Sequence, residues 1–153
     1  MNTTDTVMMI ETNIDDMNPQ YYEHIIDLLF ETGSLDAYLT PIIMKKGRPG
    51  VKLSVLSPLS LVEMISAIIL RETTTIGIRM YPVDRIKLAR GITEVETRYG
   101  TIRIKVVKHG TEIRITPEHD DCLKAARKHD VPLIDVDKTS REATRALDLE
   151  ALF

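Results

Sequence analysis

Hydrophobic periodicity switches between two and three-to-four along the first half of this chain, and the order of the switches constrains the fold more than any single motif does. Val7-Met8-Met9-Ile10 is a short apolar run of the kind a buried strand shows. Pro19 to Thr32 spaces Tyr21, Tyr22, Ile25, Ile26, Leu28 and Leu29 as an amphipathic helix does, with Asn18 as N-cap, Pro19 at the first helical position and Gly33 at the end. Leu35 to Met44 is rich in strand formers, Lys45 to Gly50 reads as a turn, and Val51 to Leu56 alternates. These segments predict a hairpin with a basic tip. Either Ser57-Pro58 or the capping-box pattern from Ser60 to Glu63 opens a second helix, which buries Leu61, Val62, Ile65, Ile68 and Ile69 and runs to about Glu72. Ile76 to Tyr81 predicts a further strand, stopped by Pro82.

Strand, helix, strand, strand, helix, strand is the split β-α-β order of a ferredoxin-like sandwich, expected here over residues 7–83. The second half differs. Thr93 to Thr97, Ile102 to Val106 and Ile113 to Ile115 alternate between turns at Tyr99-Gly100 and His109-Gly110, which predicts a three-stranded meander. Thr116 and Pro117 read as the cap and first position of a helix carrying Cys122, Leu123, Ala125 and Ala126. A short Leu133 to Val136 strand and a last helix from Lys138 to about Leu149 are expected to close the chain. The fold class is therefore α+β: a ferredoxin-like β-α-β-β-α-β sandwich followed, over residues 91–150, by a smaller subdomain of β-meander and helices.

Composition narrows the function classes. With 43% hydrophobic and 28% charged residues over 153 positions, the chain has a globular composition, and no apolar run reaches the ~20 residues of a spanning helix. Met1 to Thr6 lacks a basic region followed by an apolar core, so the cytoplasm is the expected compartment. One cysteine, Cys122, excludes an internal disulfide and a multi-cysteine metal site. A net charge of −3 argues against generic affinity for nucleic-acid backbone, and two Phe with no Trp leave an open sheet without an RNA-stacking platform.

Chemistry concentrates in four places. Asp15 and Asp16 follow the first strand, where a pair of carboxylates either holds a hard cation such as magnesium or manganese, or splits into a helix cap and a solvated charge. Lys45, Lys46 and Arg48, with Gly47 and Gly50 between and after them, offer a phosphate cations and accessible backbone N–H groups; the competing reading is a solvated hairpin tip. Thr73, Thr74 and Thr75 place three hydroxyls at a helix-to-strand junction, and Arg79 beyond them either grips a phosphate or faces solvent. His119, Asp121 and Cys122 either approach a borderline metal or simply favour the positive end of a helix.

Four motifs in this order resemble one family: Glu11-Thr12-Asn13-Ile14-Asp15-Asp16-Met17, Pro41 to Gly50, Glu72 to Arg79, and Pro117-Glu118 with Asp121-Cys122. They are similar to the carboxyl-terminal half of the LarC family, the nickel insertion proteins of the nickel-pincer nucleotide cofactor of lactate racemase. The resemblance implies a CTP-dependent cyclometallase, of the lyase class, that places nickel into pyridinium-3,5-bisthiocarboxylic acid mononucleotide. It implies CTP bound with manganese or magnesium, and a homo-oligomer built through trimers into a hexamer. Carried onto this chain, it sets the phosphates against Lys45, Lys46 and Arg48, with Thr73, Thr74, Thr75 and Arg79 nearby. The divalent ion falls to Asp15 or Asp16, with Glu72 as a further candidate. Family members carry an additional amino-terminal half, so the resemblance implies a partner half supplied in trans or lost by truncation. A chain of this extent is then expected to bind CTP without completing nickel insertion.

The alternative from another class is a non-catalytic oligomerisation and nucleotide-sensing module, since a ferredoxin-like sandwich does not by itself specify chemistry.

Overall fold

The structure, a computed structural model, describes residues 3–153; Met1 and Asn2, part of the stretch read above for a secretory signal, lie outside them. The elements are β1 (Thr3–Ile14), α1 (Tyr21–Thr32), β2 (Asp36–Ile43), β3 (Pro49–Ser57), α2 (Val62–Glu72), β4 (Arg79–Lys87), β5 (Ala89–Thr97), β6 (Gly100–His109), β7 (Glu112–Pro117), α3 (His119–His129) and α4 (Leu133–Thr144). They divide into two compact units, Thr4–Arg85 and, together with Thr3 at the start of β1, Ile86–Phe153. No helix among the described residues is long and apolar enough to cross a membrane.

In the first unit the sheet order is β2-β3-β1-β4, the ferredoxin-like arrangement. Both β1 and β2 run antiparallel to β3, with Ile10 opposite Val55 and Leu39 opposite Leu53. It follows that β1 and β2 point the same way. Their carboxyl ends, and the tip joining β2 to β3, lie at one end of the sheet. Ile25 and Leu29 on α1, and Ile65 and Ile69 on α2, are one turn apart and meet Ile10, Leu53 and Val55; all seven are at most 1% exposed. Each contributes about 1.5–3 kcal/mol by leaving water. Gly33, at φ 105°, ends α1 with its N–H on the Leu29 and Phe30 carbonyls, a left-handed turn that glycine adopts without strain.

Local expectations in this unit shift in three places. Asn18 caps the turn before α1 rather than the helix itself: its Oδ1 accepts the Gln20 N–H at 3.1 Å, and helix proper begins at Tyr21. The Ser60–Glu63 capping box does not form, because a 3-10 turn over Leu59–Leu61 leads into α2 and no side chain caps it. Pro82 does not stop a strand but lies inside β4, whose place at the edge of the sheet tolerates a residue with no N–H to give. Ile76, Gly77 and Ile78 precede that strand.

The second unit is the antiparallel meander β5-β6-β7 with α3 and α4 on one face. Ile102, Ile104 and Val106 alternate inward, at most 1% exposed, against Cys122, Ala125, Ala126 and Val136, which leaves Arg103 and Lys105 on the other register. Thr116 and Pro117 are not a helix start: they end β7, Pro117 opposite Ile104, and Glu118 holds the N-cap position of α3. The expected Leu133–Val136 strand is the first turn of α4, which ends at Thr144. A four-residue apolar run carries no period, whereas Val136, Ser140 and Thr144 form a buried helical stripe whose hydroxyls bond the Val136 and Ser140 carbonyls.

Candidate functional site

At the end of the first unit's sheet where β1 terminates, two distant stretches interlock. The Thr12 hydroxyl, on a residue 3% exposed, lies 2.6 Å from that of Thr75 and donates to the Gly77 carbonyl at 3.0 Å. Thr74 donates to Asp16 Oδ1. Thr73 turns back to the Ile69 carbonyl, closing α2, and receives the Thr75 N–H. The Thr73–Thr75 stretch is thereby fixed against the carboxylates that follow β1, and Tyr22, buried beside them, has its hydroxyl pKa raised by burial and by the charge of Asp16.

The basic turn reaches the same place. Arg48 Nη1 lies 3.5 Å from Asp15 Oδ2. Lys46 at φ 62° and Gly47 at φ 70° take successive left-handed conformations, which for a lysine is strained and turns the chain at the hairpin tip. Gly50 sits so near β1 that a Cβ on it would stand 2.8 Å from the Ile14 carbonyl oxygen, so the tip can close down only over a glycine. Lys45 and Lys46 are exposed, and no carboxylate among the described residues pairs with either.

Beside them lies a network centred on Glu11, in which the sequence points only to Arg79, as a phosphate contact. Glu11, 7% exposed, accepts from Lys52 Nζ at 3.0 Å, Ser54 Oγ at 3.1 Å and Arg79 Nε at 3.2 Å, while Arg79 Nη2 donates to Asn13 Oδ1 at 2.6 Å. Burial pushes the Glu11 pKa up, but the bonds from Lys52, Arg79 and Ser54 outweigh it and hold the carboxyl below its ordinary value. Arg79 is thus anchored by β1 rather than turned freely to solvent. A charge amid the apolar run of β1 was the available signal, and its partners follow only from sheet register.

Glu72 belongs to another grouping. Its Oε1 accepts from Arg71 Nε at 2.7 Å and its Oε2 is 3.9 Å from His24 Nε2, in a cleft of ≈ 420 Å³ lined by Gln20, Tyr21, His24, Ile25, Arg71 and Glu72. Among the described residues no three His, Cys, Asp or Glu side chains converge to hold a metal. Asp16 nonetheless sets a carboxylate against the Thr74 hydroxyl, with Asp15 next to it in sequence and turned to Arg48, and carboxylate and hydroxyl oxygens are the ligands a hard cation prefers. In the second unit, Asp121 is held by Arg103 at 2.7 and 2.8 Å, and Cys122 is buried with its thiol pKa raised by that burial and by Asp137. Neither group is disposed as a metal ligand.

A family profile described as nickel insertion protein matches residues 1–137. The chain is 46% identical over 129 residues to the pyridinium-3,5-bisthiocarboxylic acid mononucleotide nickel insertion protein of Acetivibrio thermocellus, covering 84% of this chain and 32% of that protein. Its identity to the protein of the same name from Thermotoga petrophila is 41% over 130 residues, covering 84% and 33%. The chain spans about a third of the length of the curated relatives it matches. Among solved structures it is similar to LarC2, described as the C-terminal domain of a cyclometallase involved in synthesis of the NPN cofactor of lactate racemase, in its apo form. The TM-score is 0.86 at 34% identity, over 94% of this chain and 99% of that one. On sequence and on fold together, the chain belongs to the nickel insertion protein family.

Proposed function

We propose that this chain is the nucleotide-binding part of a nickel insertase, taking CTP with manganese or magnesium. The observation that carries the reading is the meeting of Asp15, Asp16, Thr74 and Arg48 at one end of a single sheet, with Lys45 and Lys46 on the adjoining tip. Lys45, Lys46 and Arg48 bind the phosphates as cations, and the Thr73–Thr75 stretch, held by Ile69, Asp16 and Thr12, lies near them. Asp15 and Asp16 hold the divalent ion, which when bound neutralises phosphate charge. Arg79, fixed by Glu11 and Asn13, adds positive charge beside this end without having to be ordered on binding.

The whole protein, in this proposal, is a lyase-class cyclometallase whose substrates are nickel and pyridinium-3,5-bisthiocarboxylic acid mononucleotide. The names borne by its relatives support that reading. Residues outside this chain complete the insertion site, and the protein assembles through trimers into a hexamer. Calorimetric titration of the chain with CTP, ATP and GTP, each with manganese, magnesium or no divalent ion, tests the nucleotide reading. Metal-dependent binding selective for CTP is expected. A folded chain that binds none of them overturns it.

A further inference from the structure

The meander of the second unit packs one face against α3 and α4, and its opposite face carries a group of cations with no part in the phosphate contacts described above. Ile102, Ile104 and Val106 point into the core, so Lys105 and Val107 point away from it. Pairing puts Ile92 opposite Lys105, and both Arg90 and Arg114 opposite Val107. Lys105 is thus diagonal to both arginines, a spacing of about 7–8 Å that long side chains close. Arg90 forms no ion pair among the described residues. Lys105 meets Glu118 only at 3.7 Å, and Arg114 meets Glu112 only at 3.4 Å. Beside them a cleft of ≈ 490 Å³ is lined by Arg90, Gly91, Ile92 and Lys105, with Ile92 62% exposed. Like charges this near one another oppose folding, and an anion between them removes that cost.

We infer that this cleft is a second anion site, separate from the basic tip of the first unit, and that it takes the phosphate of a mononucleotide with the ring laid on Ile92. Arg90 presents a planar fork to two phosphate oxygens, and Lys105 a point charge to a third. Two cations at the cleft, with Arg114 beyond Val107, match the charge of about −2 on a phosphomonoester. A triphosphate brings more charge and calls for a divalent ion, whereas the carboxylates nearest this cleft, Glu112 and Glu118, already face Arg114 and Lys105. Ile92, exposed among charges, offers apolar surface that a flat ring covers and a free phosphate does not. Two sources share this chemistry: a pyridinium mononucleotide, such as the substrate proposed above, and an ordinary nucleoside monophosphate. The site stands on its own residues and does not depend on CTP binding to the first unit.

The test is titration of the full chain with nicotinic acid mononucleotide, uridine monophosphate, nicotinic acid riboside and inorganic phosphate, in the parent and in Arg90→Gln, Lys105→Met and Ile92→Ser. The parent is expected to bind a mononucleotide at least tenfold more tightly than either the riboside or phosphate. Preference for the pyridinium mononucleotide over uridine monophosphate assigns the site to the first source, and equal affinity assigns it to mononucleotides generally. Arg90→Gln and Lys105→Met should each weaken that binding at least tenfold, the loss of one charge-assisted bond, without lowering the melting temperature. Ile92→Ser, at an exposed position, should narrow the gap between mononucleotide and phosphate to within about threefold. Saturating CTP with manganese should leave the mononucleotide bound. Mononucleotides that bind no more tightly than phosphate, affinity unchanged in Arg90→Gln and Lys105→Met, or displacement by CTP overturns this site and leaves the CTP reading standing. A chain whose mononucleotide binding depends on Arg90 but which does not bind CTP overturns the CTP reading and leaves this site standing.

Discussion

Thr12 and Thr75, sixty-three positions apart, share a 2.6 Å hydrogen bond between their hydroxyls that ties β1 to the loop entering β4. Both also face the Gly77 carbonyl, at 3.0 and 2.9 Å, so three polar atoms close a small network at the edge of the core. Because Thr12 is buried, replacing Thr75 by Val leaves its hydroxyl with one partner fewer. Thr12→Val and Thr75→Val are each expected to cost about 1–3 kcal/mol of unfolding free energy. The double variant should cost less than the sum, with a coupling of about 0.5–3 kcal/mol, in urea unfolding. Strict additivity would show that the two hydroxyls act independently.

The closeness of these segments was legible as motifs but not as contacts. Periodicity over residues 7–83 carries the β-α-β-β-α-β order, and that order alone brings the end of β1, the β2–β3 tip and the end of α2 to one end of the sheet. The partners of Glu11 were not legible, since Lys52, Ser54 and Arg79 lie on two other strands and pair with it only through register. Leu133 to Val136 misled as a strand because four apolar residues fit both periods, and the buried Ser140 and Thr144 that settle the helix are polar. Pro82 misled because its cost depends on whether the strand lies at an edge, a property of the whole sheet.

Gly50 and Gly47 should respond differently to alanine. A Cβ at Gly50 meets the Met44 sulfur at 2.7 Å, which can swing aside, and the Ile14 carbonyl at 2.8 Å, which cannot without moving β1. At Gly47 a Cβ meets nothing within 4 Å, and only the left-handed backbone resists it. Gly47→Ala is expected to cost about 1–2 kcal/mol, with the tip otherwise in place. Gly50→Ala is expected to cost about 1–3 kcal/mol and in addition to part Arg48 from Asp15, weakening nucleotide binding. Equal nucleotide affinity in the two folded variants would show that the tip does not depend on its approach to β1.

Glu11 sets an acid limit on the first unit. Its pKa is held below the ordinary 4.5 by Lys52, Arg79 and Ser54 against the opposing effect of burial. A carboxyl whose pKa is lower folded than unfolded binds fewer protons in the native state, so its contribution is present above about pH 4.5 and is lost as the pH falls through the folded value. Asp121, held low chiefly by its bonds from Arg103, acts in the same sense in the second unit, below its ordinary 3.8. Urea midpoints measured from pH 7 to pH 3 should decline below pH 4.5 in the parent and decline less in Glu11→Gln. An identical acid slope in both would remove Glu11 from the account.

Lys46 carries a positive charge on a strained backbone, so two substitutions there separate charge from conformation. Lys46→Gly relieves the left-handed strain and should raise stability, while Lys46→Ala keeps the strain. Both remove the charge, and both are expected to weaken CTP binding by about 1.5–3 kcal/mol, the worth of one charge-assisted bond. Unchanged affinity in either folded variant would move the phosphates away from the tip.

Asp16→Asn removes a charge while keeping an oxygen for Thr74. The Thr74 hydroxyl donates to Asp16 Oδ1, and an asparagine Oδ1 accepts in the same position, so the loop over Thr73–Thr75 should stay where it is. What is lost is the anionic oxygen that a hard cation prefers. If Asp16 holds the divalent ion, Asp16→Asn should reduce CTP affinity at least tenfold with manganese present and hardly at all without it, with the melting temperature nearly unchanged. Asp16→Ala removes the Thr74 acceptor as well, and should lower both the affinity and the melting temperature. If instead Asp16 serves only to fasten the threonine loop, Asp16→Asn will bind CTP with manganese as the parent does, and the loss will appear only in Asp16→Ala.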